Sequence, residues 1–123
     1  TDKAGRVLIE KDLSAPGTSE VFVIGDMAAL KQENGDPVPG VSPAAMQMGT
    51  HAARNILADV NGRPRTDFRY VDKGSMATIG RSKGISHVFG IKTTGFIAWL
   101  SWLFLHVMFL IGFRNRFAVM INW

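Results

Sequence analysis

The residues best placed to do chemistry in this 123-residue chain are Gly25 and Asp26, which close the run Val21-Phe22-Val23-Ile24. Four apolar residues rich in β-branched types suit an interior parallel strand covered on both faces. A glycine at its end lets a ligand approach the backbone closely. The carboxyl end of a strand is where open α/β sheets bind their ligands. A carboxylate there accepts hydrogen bonds from the hydroxyls of a sugar or ribitol chain. Other chemistries have less to work with. Cysteine is absent, which removes disulfides and thiolate metal sites, and His51, His87 and His106 share no ligand spacing.

Charge divides the chain. Residues 1–62 hold five Lys/Arg against eight Asp/Glu, a net of −3, and residues 63–123 hold nine against two, a net of +7. The basic half also contains Thr93 to Phe113, 21 positions without a charged residue, followed by Arg114-Asn115-Arg116 and the apolar run Phe117 to Ile121. Cations beside an apolar segment favour an anionic lipid surface. Trp99, Trp102 and Trp123 suit a membrane–water interface. The uncharged stretch sits at the border of the ~20 residues that a spanning helix needs, and a buried core helix is its soluble alternative. Nucleic acid is not the expected partner, because the aromatics lie in an uncharged block and do not alternate with Arg and Lys.

The elements that must position these groups follow from local signals. Residues 6–10 read as a strand, Ser14 to Ser19 as a loop, and Ala28 to Lys31 as a helical turn. Gly35, Pro37, Pro39, Gly40 and Pro43 keep residues 33–43 irregular. Ser42-Pro43 reads as an N-cap with proline at the first helical position. The helix it opens runs to about Val60 and stops at Asn61-Gly62, with Ala52, Ala53, Ile56, Leu57 and Val60 on an apolar face. Phe68-Arg69-Tyr70-Val71 reads as a half-exposed strand, Lys73-Gly74 as a turn and residues 75–80 as the returning strand, with another strand or loop over 85–92. The opening on Thr1, almost directly into a strand, reads as part of something longer.

The order of several short motifs resembles one family. Gly5-Arg6-Val7, Val21 to Ala28, Pro37-Val38-Pro39-Gly40-Val41, Pro43 to Gly49, Phe68-Arg69-Tyr70, Lys73 to Arg81, Gly95-Phe96 and Ile111 to Arg116, in that order, resemble the C-terminal part of a type II NADH dehydrogenase. The resemblance covers nearly the whole chain. It implies an α/β fold: the C-terminal part of a flavoprotein with two Rossmann-like dinucleotide-binding domains, ending in a β-hairpin and membrane-attachment helices. The expected division is 1–65 for the end of the FAD-binding domain, 66–94 for the hairpin segment and 95–123 for membrane attachment. The implied activity is non-proton-pumping NADH:quinone oxidoreduction in a respiratory chain, with FAD as cofactor and NADH as substrate. Quinone and membrane lipid are the implied partners, a homodimer through the C-terminal helices is possible, and the implied location is the cytoplasmic face of a bacterial inner membrane. The chain itself has no G-x-G-x-x-G, since Gly74, Gly80 and Gly84 lack that spacing, so these residues alone are expected not to turn over.

By the same resemblance, Asp26 holds the ribitol or nearby phosphate region of FAD and Gly25 makes room for it. The helix from Pro43 points its N-terminus at the isoalloxazine ring, where free N–H groups of Ala44, Ala45 and Met46 would favour negative charge. Small side chains at Ala44 and Ala45 let the ring come close, and Lys73 approaches the flavin site. Gln47, Met46 and Met48 are the implied quinone contacts. Gln47 keeps the second glutamine of the family's A-Q-x-x-x-Q pattern, whereas Pro43 stands where the first is usual. Each residue also has a structural reading: Gln47 as a satisfied helical amide, Lys73 as a solvated turn residue, the methionines as core filling, His51 and His106 as packed side chains. Two other functions remain open at this level. One is a small membrane-bound interaction protein without cofactor. The other is a soluble flavin-binding module whose last helix is core.

Overall fold

The computed structural model describes residues 1–110 and 112–122. The expected interfacial role of Trp123, and Ile111 in the last motif, fall outside the described residues. The chain is a mixed α/β protein in two compact units, Thr1–Asp72 and Lys73–Trp123.

The first unit is built from short strands around one long helix. β1 (Val7–Leu8) pairs in parallel with β4 (Ala28–Ala29), and β2 (Ser14–Ala15) pairs antiparallel with β3 (Thr18–Phe22). The expected loop at Ser14 to Ser19 is therefore a hairpin turning at Pro16-Gly17, where Gly17 has φ +76°. β3 is not the interior parallel strand expected from its apolar residues. Its pairing is antiparallel, and Val21 is 46% exposed. The expected helical turn at Ala28 is also displaced, because a 3-10 turn occupies Gly25–Met27 and the chain is already extended at Ala28.

α1 (Ser42–Val60) matches the expected helix at both ends, with the N-cap one residue earlier, at Val41. Pro43 stands in its first turn, where a missing N–H costs nothing. Gly62 follows the end with φ +64°, the left-handed conformation that stops helices. Its buried stripe is Ala44, Met48, Ala52 and Asn55, at helical spacing. Of the expected apolar face only Ala52 belongs to it; Ala53, Ile56, Leu57 and Val60 are exposed. The stripe packs into a core with Leu13, Ala28, Leu30, Val38 and Phe68.

Asn55, 1% exposed, occupies its core position at no polar cost because both ends of its amide are used. Its Nδ2 donates to the carbonyls of Asp12 and Thr66, at 3.1 and 3.0 Å, and its Oδ1 accepts from the Thr66 N–H at 3.1 Å. These bonds hold the returning segment 65–71 against the helix. Phe68 then donates its backbone N–H to the Lys11 carbonyl at 2.8 Å. That segment forms no strand, contrary to its alternating pattern. Arg65 adds a second tie, reaching the Asp59 and Asp12 carboxylates and the Ser19 carbonyl while its guanidinium lies 4.7 Å above the Phe22 ring.

The second unit is an antiparallel sheet with one helix laid on it. β5 (Gly74–Gly80), β6 (Lys83–Val88) and β7 (Ile91–Thr94) pair in that order. The hairpin expected between 68–71 and 75–80 is instead formed by β5 with β6, so Lys73 precedes the sheet and does not lie at a hairpin turn. β6 and β7 turn through Phe89 and Gly90, both at positive φ, as tight hairpins require. α2 (Gly95–Phe109) lies against the sheet through Ala98, which is completely buried. Gly84 is what allows this approach: a Cβ there would stand 2.9 Å from the Trp99 nitrogen. α3 (Phe113–Asn122) follows, and the elbow is held by Arg116, which donates to the Leu110 and Met108 carbonyls at 2.9 Å each.

Candidate functional site

The 3-10 turn at Gly25–Met27 lies against the first two turns of α1, and an open cleft runs between them. Gly25, Asp26, Ala44, Ala45 and Met48 line it, so five of the eight expected site residues come together. Gly25 has φ +69°, which is what demands glycine there; a Cβ would only touch the Ala45 methyl at 3.5 Å.

Asp26 is exposed, and its carboxylate makes no hydrogen bond or ion pair among the described residues. One oxygen lies 3.5 Å from where a Cβ of Gly40 would stand, so the proline-rich loop approaches this carboxylate through a residue without a side chain. A carboxylate with its acceptor sites open, on the wall of a cleft, is suited to ligand hydroxyls. The opposite wall is the start of α1. Its Ala44 and Ala45 N–H groups are not free as expected, because both donate to the Val41 carbonyl, at 3.0 and 3.1 Å. The helix end therefore acts on the cleft through its dipole and its small side chains, not through open donors.

The remaining expected residues divide. Met48 lines the cleft but is 2% exposed, and its sulfur accepts the Gly25 N–H at 3.3 Å. Met46 and Gln47 lie outside the cleft lining. Gln47 is engaged with the backbone of Val71, donating from Nε2 to its carbonyl and accepting its N–H at Oε1, each at 3.0 Å. Lys73 belongs to the second unit and is exposed. His51 is turned to the core side, with Nε2 2.8 Å from the Thr66 carbonyl and its ring edge-on to Phe68.

Two of the cleft residues that had no role in the sequence reading bear on the site. Arg6 lines the rim, its guanidinium held by Asp2 at 2.7 Å. Hydrogen bonds from the Arg6 backbone, then its side chain and the Ala4 N–H, hold the Asp2 carboxyl below the usual range against the opposing effect of burial. Gly40 is the other. Both sit in segments that the motif comparison singled out, and nothing in their residue types alone marks them.

On the second unit, α2 is apolar around most of its circumference. Phe96, Ile97, Leu100, Phe104, Met108 and Phe109 are all exposed, and Phe104 is 62% exposed. Among the described residues, no helix is long and apolar enough to cross a membrane. Trp102 and His106 stack with ring centres 3.8 Å apart, and His106 Nδ1 lies 2.8 Å from the Trp102 carbonyl, so this histidine is engaged one turn back on its own helix.

Comparison with known proteins places these units. The NDH2 C-terminal domain matches residues 73–123, the same residues that form the second unit. The type II NADH:quinone oxidoreductase Ndh of Mycobacterium tuberculosis is 44% identical over 125 aligned positions, covering 99% of this chain and 26% of that protein. NdhA of the same organism is 40% identical, with coverage of 99% and 26%. The type II NADH:quinone oxidoreductase of Staphylococcus haemolyticus is 38% identical over 94 positions, 76% of this chain and 23% of that protein. The chain thus spans about a quarter of the length of the curated relatives it matches. Similarity runs through both units, with the domain match confined to the second: the chain is a homologue of part of the type II NADH:quinone oxidoreductases.

Proposed function

We propose that this chain serves, within a longer polypeptide, in an NADH:quinone oxidoreductase, and that its cleft is one wall of the FAD site. The observation that carries the reading is the shared cleft itself: an exposed Asp26 carboxylate, without a partner among the described residues, faces the start of α1 across small residues. The residues fit the group. Asp26 would accept a ribitol hydroxyl, Gly25 and Gly40 leave the backbone approachable, and Ala44 and Ala45 present only methyl groups where a planar ring must come close. Bound there, the flavin supplies the two-electron redox chemistry between NADH and quinone. The positive end of α1 would favour the charge that the ring gains on reduction.

Gln47 and Met46, outside the cleft, are assigned to the quinone. Gln47 spends one donor and one acceptor on Val71, which leaves its second N–H and second lone pair for a quinone carbonyl. Val71 thereby fixes the orientation of the amide.

The second unit would hold the enzyme on lipid, where an apolar quinone dissolves. α2 has 15 residues and so rises ~22 Å, short of the ~30 Å of a bilayer core. Its exposed apolar surface, with Arg114 and Arg116 just beyond it, supports attachment to one anionic leaflet. We assign this to the cytoplasmic face of a bacterial inner membrane, with pairing of two subunits covering part of the apolar helix.

The test is direct. The purified full polypeptide should be yellow, bleach on addition of NADH, recover its colour with a soluble quinone and float with anionic liposomes. A colourless protein that takes up no FAD would overturn the flavin assignment, and failure to float would overturn the attachment.

A further inference from the structure

We propose that Met48 is a positioning residue for the turn that carries Asp26, acting through its sulfur as a hydrogen-bond acceptor. This rests on the reading of the cleft as a flavin wall. A core methionine at helical spacing is ordinarily gap filling. Here the side chain does something a hydrocarbon cannot. Gly25 adopts φ +69°, and its N–H points into the first unit, toward the buried stripe of α1. A partly buried backbone donor needs an acceptor, and an unpaired one is costly. Met48 Sδ, 3.3 Å away on a side chain 2% exposed, is the acceptor that this N–H has.

The consequence reaches the ligand side. Gly25 and Asp26 are consecutive, so the bond that sets the Gly25 peptide plane also sets where the Asp26 backbone leaves the turn. Asp26 has no hydrogen bond of its own among the described residues to hold its carboxylate in place. Its aim at the cleft therefore depends on the turn. Met48 ties that turn to α1 one helical turn after Ala44 and Ala45, the residues of the facing wall. One thioether thus fixes the distance between the two walls. Leucine would fill the space and leave the Gly25 N–H without an acceptor. Glutamine, of similar length, would restore one through its amide oxygen.

The experiment uses the full polypeptide as Met48→Leu and Met48→Gln, with two readouts. Hydrogen exchange is followed by mass spectrometry on a peptide covering residues 22–28 in the absence of flavin. FAD release is followed by the fluorescence of the freed cofactor. Circular dichroism melts establish that each variant keeps a cooperative fold. Met48→Leu should speed exchange of the Gly25 amide and weaken FAD retention by about threefold to tenfold, the range of one hydrogen bond. Met48→Gln should recover most of both. Unchanged exchange and release in the leucine variant would overturn the proposal, as would a glutamine variant no better than the leucine one. A wild-type protein that binds no FAD overturns the flavin reading alone, since the exchange readout still decides whether the sulfur holds the turn.

Discussion

Gln47 holds Val71 as a neighbouring strand would: its Nε2 donates to the Val71 carbonyl and its Oε1 accepts the Val71 N–H, both at 3.0 Å. A side-chain amide here gives Val71 the pair of bonds that a strand neighbour would, since residues 68–71 join no sheet. The clasp also locks the amide in one orientation. Replacing Gln47 with Ala removes two hydrogen bonds, both at an exposed position, and is expected to cost about 1 kcal/mol of first-unit stability. Faster hydrogen exchange at Val71 and a raised KM for quinone, with FAD content unchanged, is the expected pattern. An unchanged KM would separate the clasp from quinone binding.

Asp26 allows a cleaner separation of stability from binding. Its carboxylate has no partner among the described residues, so Asp26→Ala should alter the melting free energy by no more than about 0.5 kcal/mol, as ordinary surface changes do. FAD affinity, measured by titration of the apoprotein, should fall by about tenfold or more, because hydrogen bonds to a charged group are the stronger kind. A large loss of stability with intact flavin binding would contradict the role given to this residue.

Gly84 is required by space. A Cβ there would stand 2.9 Å from the Trp99 nitrogen and 3.1 Å from its Cα, and backbone cannot yield as a flexible side chain does. Gly84→Ala should lift α2 from β6 and destabilise the second unit by about 1–3 kcal/mol, the usual cost of overpacking. Limited proteolysis should then cut between β7 and α2 sooner than in the wild type, while the first unit keeps its protection.

Acid sensitivity of the first unit should trace to Arg65. Its hydrogen bonds hold the Asp59 carboxyl below the usual range. For Asp12, burial pushes upward, and hydrogen bonds from Ser14 and then Arg65 outweigh it, leaving that group lowered as well. Carboxyls with lowered folded-state values stabilise fully above the ordinary carboxylate pKa of ~3.9 and lose that contribution as pH falls from there through the lowered folded-state value. The melting temperature should therefore drop as pH falls below about 4. Arg65→Met, which retains a straight aliphatic stem, should lower the melting temperature at neutral pH and flatten that acid slope. An unchanged slope would show that these ion pairs do not set it.

Much of this protein was determined by local sequence alone. Pro43 at the start and Asn61-Gly62 at the end bound α1, because proline is tolerated where no helical donor is needed and glycine adopts the left-handed stop. The Gly25-Asp26 pair and the small residues at 44 and 45 were visible as candidates for one site, and the structure brings them to one cleft. The uncharged run after Thr93 becomes a helix, though one of 15 residues. Other features were decided only by contacts between distant parts of the chain. Alternation at Phe68 to Val71 looks like a strand, but a strand exists only where a partner edge is free, and β5 found its partner in β6. Ile56, Leu57 and Val60 looked like core, yet the buried stripe runs through Asn55, whose amide is satisfied by Asp12 and Thr66 from opposite ends of the unit. The sulfur of Met48 and the amide of Gln47 likewise acquired their bonds from Gly25 and Val71, each more than 20 residues away in sequence. Caps and turns are settled by a few neighbouring dihedral angles. The partner of a buried donor is settled by whichever acceptor the folded chain brings within about 3 Å, and no short window of residues contains that information.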